Sequence, residues 1–145
     1  MSVQMKRAIL NLVIWLSVFL LFLIVFFSGN TVADWDTNRV KIFTLASFLA
    51  IGYIGQLILS IVFRKRKNII NTDERDAMIL NKAMSNSFIV TLVYLFLVAI
   101  SLYLYYEKNG FVPVAWLWFI AYNVVMAANI TTSGFLIFQH HRGGN

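Results

Sequence analysis

The groups from which any chemistry would have to be built are few in this 145-residue chain: six acidic side chains, two histidines and a scatter of amides and hydroxyls. Three of the acids, Asp73, Glu74 and Asp76, stand together around Arg75, and His140 and His141 are adjacent, next to Arg142. Neighbouring positions on a helix point to different sides, so the histidine pair is a poor zinc or haem site without further ligands and reads as polar capping at a helix end. The chain has no cysteine, which removes disulfides, thiolate metal sites and thiol redox chemistry. Neither a nucleophile with a base at suitable spacing nor a glycine-rich phosphate loop is present. A lipid-modifying enzyme would need a metal or substrate at Asp73, Glu74 and Asp76, with no further ligand nearby to help hold it. The expectation is therefore no enzyme, no cofactor and no metal site.

The elements that would position these groups are set by hydropathy. The chain is 60% hydrophobic, with a mean hydropathy of +0.76, well outside the range of soluble domains. Four uncharged apolar stretches, 8–28, 42–63, 87–106 and 113–138, are each long enough to cross the roughly 30 Å hydrocarbon layer. The first is about 20 residues, longer than the 7–15 of a secretory signal core, and is expected to be retained. Backbone groups in hydrocarbon must be paired within the segment, which requires helices. The predicted fold is one all-α domain of four transmembrane helices in an antiparallel bundle, with short links making sequential helices neighbours. Pro113 and Gly110 mark the last turn.

Lys6, Arg7, Arg64, Lys65, Arg66, Lys67, Arg75, Lys82 and Arg142 fall on one side of these spans; Arg39, Lys41 and Lys108 fall on the other. Such a bias predicts that both termini are cytoplasmic, in the inner or plasma membrane. Trp35, Tyr103, Tyr105, Tyr106, Trp116 and Trp118 cluster towards the opposite interface. The basic surplus suits the lipid bilayer, with anionic lipid at its cytoplasmic face, rather than nucleic acid.

Within the spans, polar or small residues recur at helical spacing: Gly52, Gln56 and Ser60; Ser87, Thr91, Tyr94 and Ser101; Asn123, Ala127, Thr131 and Gly134. These stripes read first as packing seams. A sharper alternative makes Gln56, Asn123 and Asn129 the lining of a polar route, although no ionisable Asp, Glu, Lys, Arg or His lies at that depth. The first span has little polar character beyond Asn11 and Ser17 and is expected to face lipid on most sides.

In the loop between the second and third spans, Thr72 is a good helix N-cap, and Asp73, Glu74 and Asp76 suit a first turn. A helix running from Asp73 to Tyr106 would be about 50 Å long and would carry the third span two to three turns into the cytoplasm. The basic run Arg64, Lys65, Arg66 and Lys67 is close enough in sequence to fold back on Asp73 and Asp76 as a charged clip. The stretch Asp73-Glu74-Arg75-Asp76, followed by Ile79, Lys82 and Ala83 and running directly into an apolar helix, resembles the juxtamembrane signature of the DUF2178-type family of small prokaryotic membrane proteins. The resemblance covers about 73–96 and implies a multi-span membrane protein; it carries no activity. The functional expectation is a non-enzymatic accessory or regulatory protein that pairs with itself, as a homo-oligomer, or with another membrane protein. Its interaction loop would comprise Arg64–Lys67, Asp73, Glu74, Arg75, Asp76 and Lys82. A small oligomeric transporter or channel is the alternative.

Overall fold

The structure, a computed structural model, describes residues 3–67 and 74–142, and for 64–67, 74 and 75 it describes the backbone alone. Four long helices account for nearly all of it: α1 (Val3–Phe27), α2 (Arg39–Lys67), α3 (Glu74–Tyr106) and α4 (Val114–Arg142). All four are long and apolar enough to cross a membrane. The expected all-α four-helix bundle is thus what forms. The described part of α3, Glu74–Tyr106, is 33 residues, against the expected helix from Asp73 to Tyr106, whose first residue lies outside the described residues. At 1.5 Å per residue it is about 50 Å long, so it overruns a hydrocarbon layer of about 30 Å.

The turns follow from local chemistry. α1 and the 3-10 turn Glu107–Asn109 are followed by Gly29 and Gly110, whose φ angles of 70° and 72° are ones that L side chains rarely adopt. Asn38 caps α2, its Oδ1 accepting from the Lys41 backbone N–H at 3.1 Å. The Thr31 hydroxyl donates to the Phe26 carbonyl at 2.5 Å, and the Lys41 ammonium donates to the Ser28 carbonyl, so the first link folds tightly over the end of α1.

The helices pack in the spatial order α2, α1, α4, α3. All three pairings are antiparallel: Arg7 meets Ser60, Asn11 meets Ser133, and Ser87 meets Thr131. The beginnings of α1 and α3 and the ends of α2 and α4 therefore share one end of the bundle. That end holds Lys6, Arg7, Lys82 and Arg142 and is called the basic end below; the other is the aromatic end. Trp116 and Tyr106 join the two helices there, the indole N–H donating to the phenol oxygen at 2.8 Å.

Two expectations are corrected by this order. α2 and α3, although consecutive, share no packed seam among the described residues, and α4 lies against α1 instead. The reason is shape. α2 offers Gly52 and Gly55, which receive Trp15 and Ile14 of α1. α3 offers Ala83, Ser87 and Thr91, buried on the seam with α4. Each edge helix has one closely packing stripe, and in each case it is already engaged.

The second correction concerns α1, which is central rather than largely lipid-facing. It buries Trp15, Val18, Phe22 and Phe26. Phe22 and Phe26 interlock with α4 through Phe119, Tyr122 and Trp116, with ring centroids 4.6–5.9 Å apart. In lipid there is no hydrophobic gain from joining apolar helices, so interlocking shape and hydrogen bonds must select the contacts.

Candidate functional site

α4 carries four polar residues close together, Asn129, Thr131, Thr132 and Ser133, whose side chains reach towards both of its neighbours at one depth. Towards α1, the Asn11 amide N–H donates to the Ser133 hydroxyl at 2.8 Å, and Ser133 donates to the Asn129 carbonyl at 2.8 Å. Towards α3, the Ser87 oxygen lies 2.6 Å from Thr131 Oγ1 and 2.8 Å from Thr132 Oγ1. Each hydroxyl has a single proton. With Thr131 donating to the Ala127 carbonyl at 2.7 Å, Ser87 donating to Thr131 and Thr132 donating to Ser87, all three are satisfied. The layer is a hydrogen-bonded belt across three helices.

Nearer the aromatic end, Tyr94 of α3 donates to Asn123 Oδ1 at 3.4 Å, a long contact, while the Asn123 amide donates to the Phe119 carbonyl at 2.9 Å. Asn123 is 1% exposed, so both halves of its amide need partners inside the protein. The sequence stripes of α3 and α4 thus meet in part as a seam, whereas Ser101 is exposed with its hydroxyl on the Leu97 carbonyl of its own helix. Asn129 has its amide on the Val125 carbonyl of its own helix at 2.8 Å. Gln56 lies half-buried on α2, whose extensive packing is on α1, and its Oε1 is enclosed without a partner. No hydrogen bond joins any two of Gln56, Asn123 and Asn129.

The basic end is built differently. Ala83 is 0% exposed, so the turns of α3 that precede its span touch the bundle at that residue, while Met78, Leu80, Lys82 and Met84 are exposed. The Ser87–Thr131 register sets them against the last turns of α4, which runs to Arg142, four residues beyond the expected span. Lys82, His141 and Arg142 are exposed on this paired projection, and Asp76 is half-buried. His140 is half-buried with Nε2 enclosed and unpartnered, as is Gln139 Oε1. The two histidines therefore differ in exposure, as expected of adjacent helical positions. No three His, Cys, Asp or Glu side chains among the described residues group as metal ligands. Of the expected interaction loop, Asp73 and the side chains of Arg64, Lys65, Arg66, Lys67, Glu74 and Arg75 lie outside the described residues, and so does the clip between them.

Sequence reasoning missed three contacts: Asn11 with Ser133, Arg7 with Ser60, and Trp15 with Gly52. Asn11 was visible as the one amide at span depth in α1, and it is that amide which finds α4. The bonds of the seam are individually weak, about 0.6 kcal/mol on average in membranes. Ser87→Ala should accordingly destabilise the folded protein by about 1 kcal/mol, and Gln56→Leu, which removes an unpartnered oxygen, by less. Reversible unfolding in mixed micelles would measure both, and an equal or larger loss at Gln56 would contradict the assignment.

Four apolar helices in an all-helical bundle define a multi-pass membrane protein. Beyond that class, the chain matches no protein-family model, no curated protein and no solved structure.

Proposed function

We propose that this is a non-enzymatic accessory or regulatory membrane protein, working in the inner or plasma membrane with both termini in the cytoplasm. It acts by binding another membrane protein or a second copy of itself through the basic end and its 64–76 loop. The observation that carries the reading is the paired α3–α4 end: two helices run on together at the basic end and hold Lys82, His141 and Arg142 exposed beside exposed Met78 and Met84. The basic bias of the sequence supports the cytoplasmic placement. Asn11, Ser87, Tyr94, Asn123, Thr131 and Ser133 are engaged in joining helices, which suits a structural role for them. The DUF2178-type resemblance at 73–96 is compatible with this reading and adds no activity.

A photo-crosslinking residue placed at 82 or 142 in native membranes should give discrete protein adducts, whereas one at the lipid-facing position 96 should not. Adducts at 82 and 142 no stronger than those at 96 would defeat the proposal. Reporter fusions at 145 should read cytoplasmic and fusions between 30 and 38 external; one contrary result overturns the orientation.

A second reading, a small oligomeric transporter or channel, draws on Gln56 Oε1 and Thr91 Oγ1, both enclosed without partners at membrane depth. It requires a solute flux in liposomes that Gln56→Leu or Asn123→Leu abolishes without loss of folded protein.

A further inference from the structure

We propose that Arg7 and Ser60 form a seat for the phosphate of one anionic glycerophospholipid, at the basic end of the α1–α2 seam. The geometry begins with Ser60, whose hydroxyl donates to the Gln56 carbonyl at 2.9 Å and accepts from Arg7 Nη2 at 2.7 Å. That bond crosses from one helix to the other and fixes the guanidinium over the seam. A guanidinium has five N–H donors, so four remain. Arg7 is exposed and has no further hydrogen-bond or ion-pair partner among the described residues. Lys6, on the same turn, is also exposed.

The apolar boundaries put this contact at the depth expected of a lipid phosphate. Arg7 lies just outside the first apolar stretch and Ser60 just inside the second, so the bond holds the charge where headgroup meets hydrocarbon. Planar, fixed guanidinium donors match two phosphate oxygens at once, and such charge-assisted pairs are about twice as strong as neutral ones. Towards the membrane centre, exposed apolar side chains follow on both helices, Leu10 and Val13 on α1 and Leu57 on α2. They give an acyl chain apolar side chains to lie against below the headgroup seat. An unpaired cation above an apolar flank complements a diacyl anion. The inference is independent of the accessory-partner reading and concerns neither the 64–67 run nor the α3–α4 projection.

The test uses the full chain, stripped of lipid in mild detergent and titrated with phosphatidylglycerol, phosphatidylcholine or glycerol phosphate while bound lipid is counted by native mass spectrometry. One phosphatidylglycerol should bind about tenfold more tightly than phosphatidylcholine, a difference of about 1.4 kcal/mol. Arg7→Gln should erase that preference. Ser60→Ala, which leaves every charge in place, should weaken phosphatidylglycerol binding about threefold by freeing the guanidinium. Lys82→Gln should change it less than about twofold, since Lys82 is a cation of the same end outside the seat. Equal losses in Arg7→Gln and Lys82→Gln would show diffuse charge and overturn the site, as would equal binding of the two lipids. Displacement by glycerol phosphate at matching concentration would assign the seat to free phosphate and overturn the lipid. If Arg7→Gln fails to insert, Ser60→Ala decides alone: unchanged binding overturns the proposal.

Discussion

Gly52→Leu should separate α2 from α1 and leave little folded protein. A Cβ on Gly52 would already stand 2.8 Å from the Trp15 ring, closer than real Cβ atoms come, and Trp15 is 0% exposed, so the indole has nowhere to move. Inserting side-chain atoms into a packed core costs about 1–3 kcal/mol where the surroundings can adjust, and here the loss should be at the top of that range or beyond it. α2 has its extensive packing with α1 alone, so the damage should not be shared with another interface. Folded yield and midpoint of thermal unfolding in detergent would measure the effect. Gly52→Ala should be milder, and a Gly52→Leu protein as stable as the parent would refute the contact.

The complementary change, Trp15→Ala, should cost about 3 kcal/mol, towards the lower end for truncating a buried aromatic. The lower end is expected because lipid tails are as apolar as the site the ring leaves, so lost packing dominates over transfer. The ring also packs edge-on against Tyr53, with centroids 5.3 Å apart. Its indole N–H is enclosed without a partner. Trp15→Phe, which removes that orphan donor while keeping most of the ring, should therefore lose less than about half as much as Trp15→Ala. Similar losses in the two variants would mean that the N–H is satisfied after all. Trp15→Ala should also rescue part of the Gly52→Leu defect, because side chains in contact are not additive.

These residues show what the sequence made legible. The number and type of helices, their approximate ends and the overrun of α3 followed from apolar length, Gly110 and Pro113, because hydrocarbon permits so few backbone solutions; the expected cap at Thr72 lies outside the described residues. The α3–α4 seam was legible as well, since Ser87, Tyr94, Asn123 and Thr131 stand out against an apolar background. The order of packing was not. In α1, Leu, Val, Phe and Trp are alike in hydropathy, so periodicity cannot distinguish the face of Trp15, Phe22 and Phe26 from the lipid-facing Leu16, Leu20 and Ile24. Shape made that choice, through cavities at Gly52 and Gly55 that exist only once two helices are placed together.

Link length was also a weak guide. The 64–86 connection is the longest of the three and carries the basic run, the acids and the first turns of α3, so it did not force α2 against α3. Gln56, Asn123 and Asn129 have similar chemistry, but sequence spacing places residues on a helix face without naming the facing helix. For that reason the proposed polar route looked plausible on paper, while in the fold those amides are divided among different surroundings.

Cysteine cross-linking tests the packing order most directly, because the chain has no cysteine of its own and only introduced pairs can react. Asn11 and Ser133 are bonded at 2.8 Å across α1 and α4, and Gln56 and Ser87 lie at matching depth on the two edge helices. Under mild oxidation of monomeric protein, Asn11→Cys with Ser133→Cys should form an internal disulfide rapidly, and Gln56→Cys with Ser87→Cys should form none. A rapid disulfide between α2 and α3, with none between α1 and α4, would contradict the order α2, α1, α4, α3 and the hydrogen-bonded belt that rests on it.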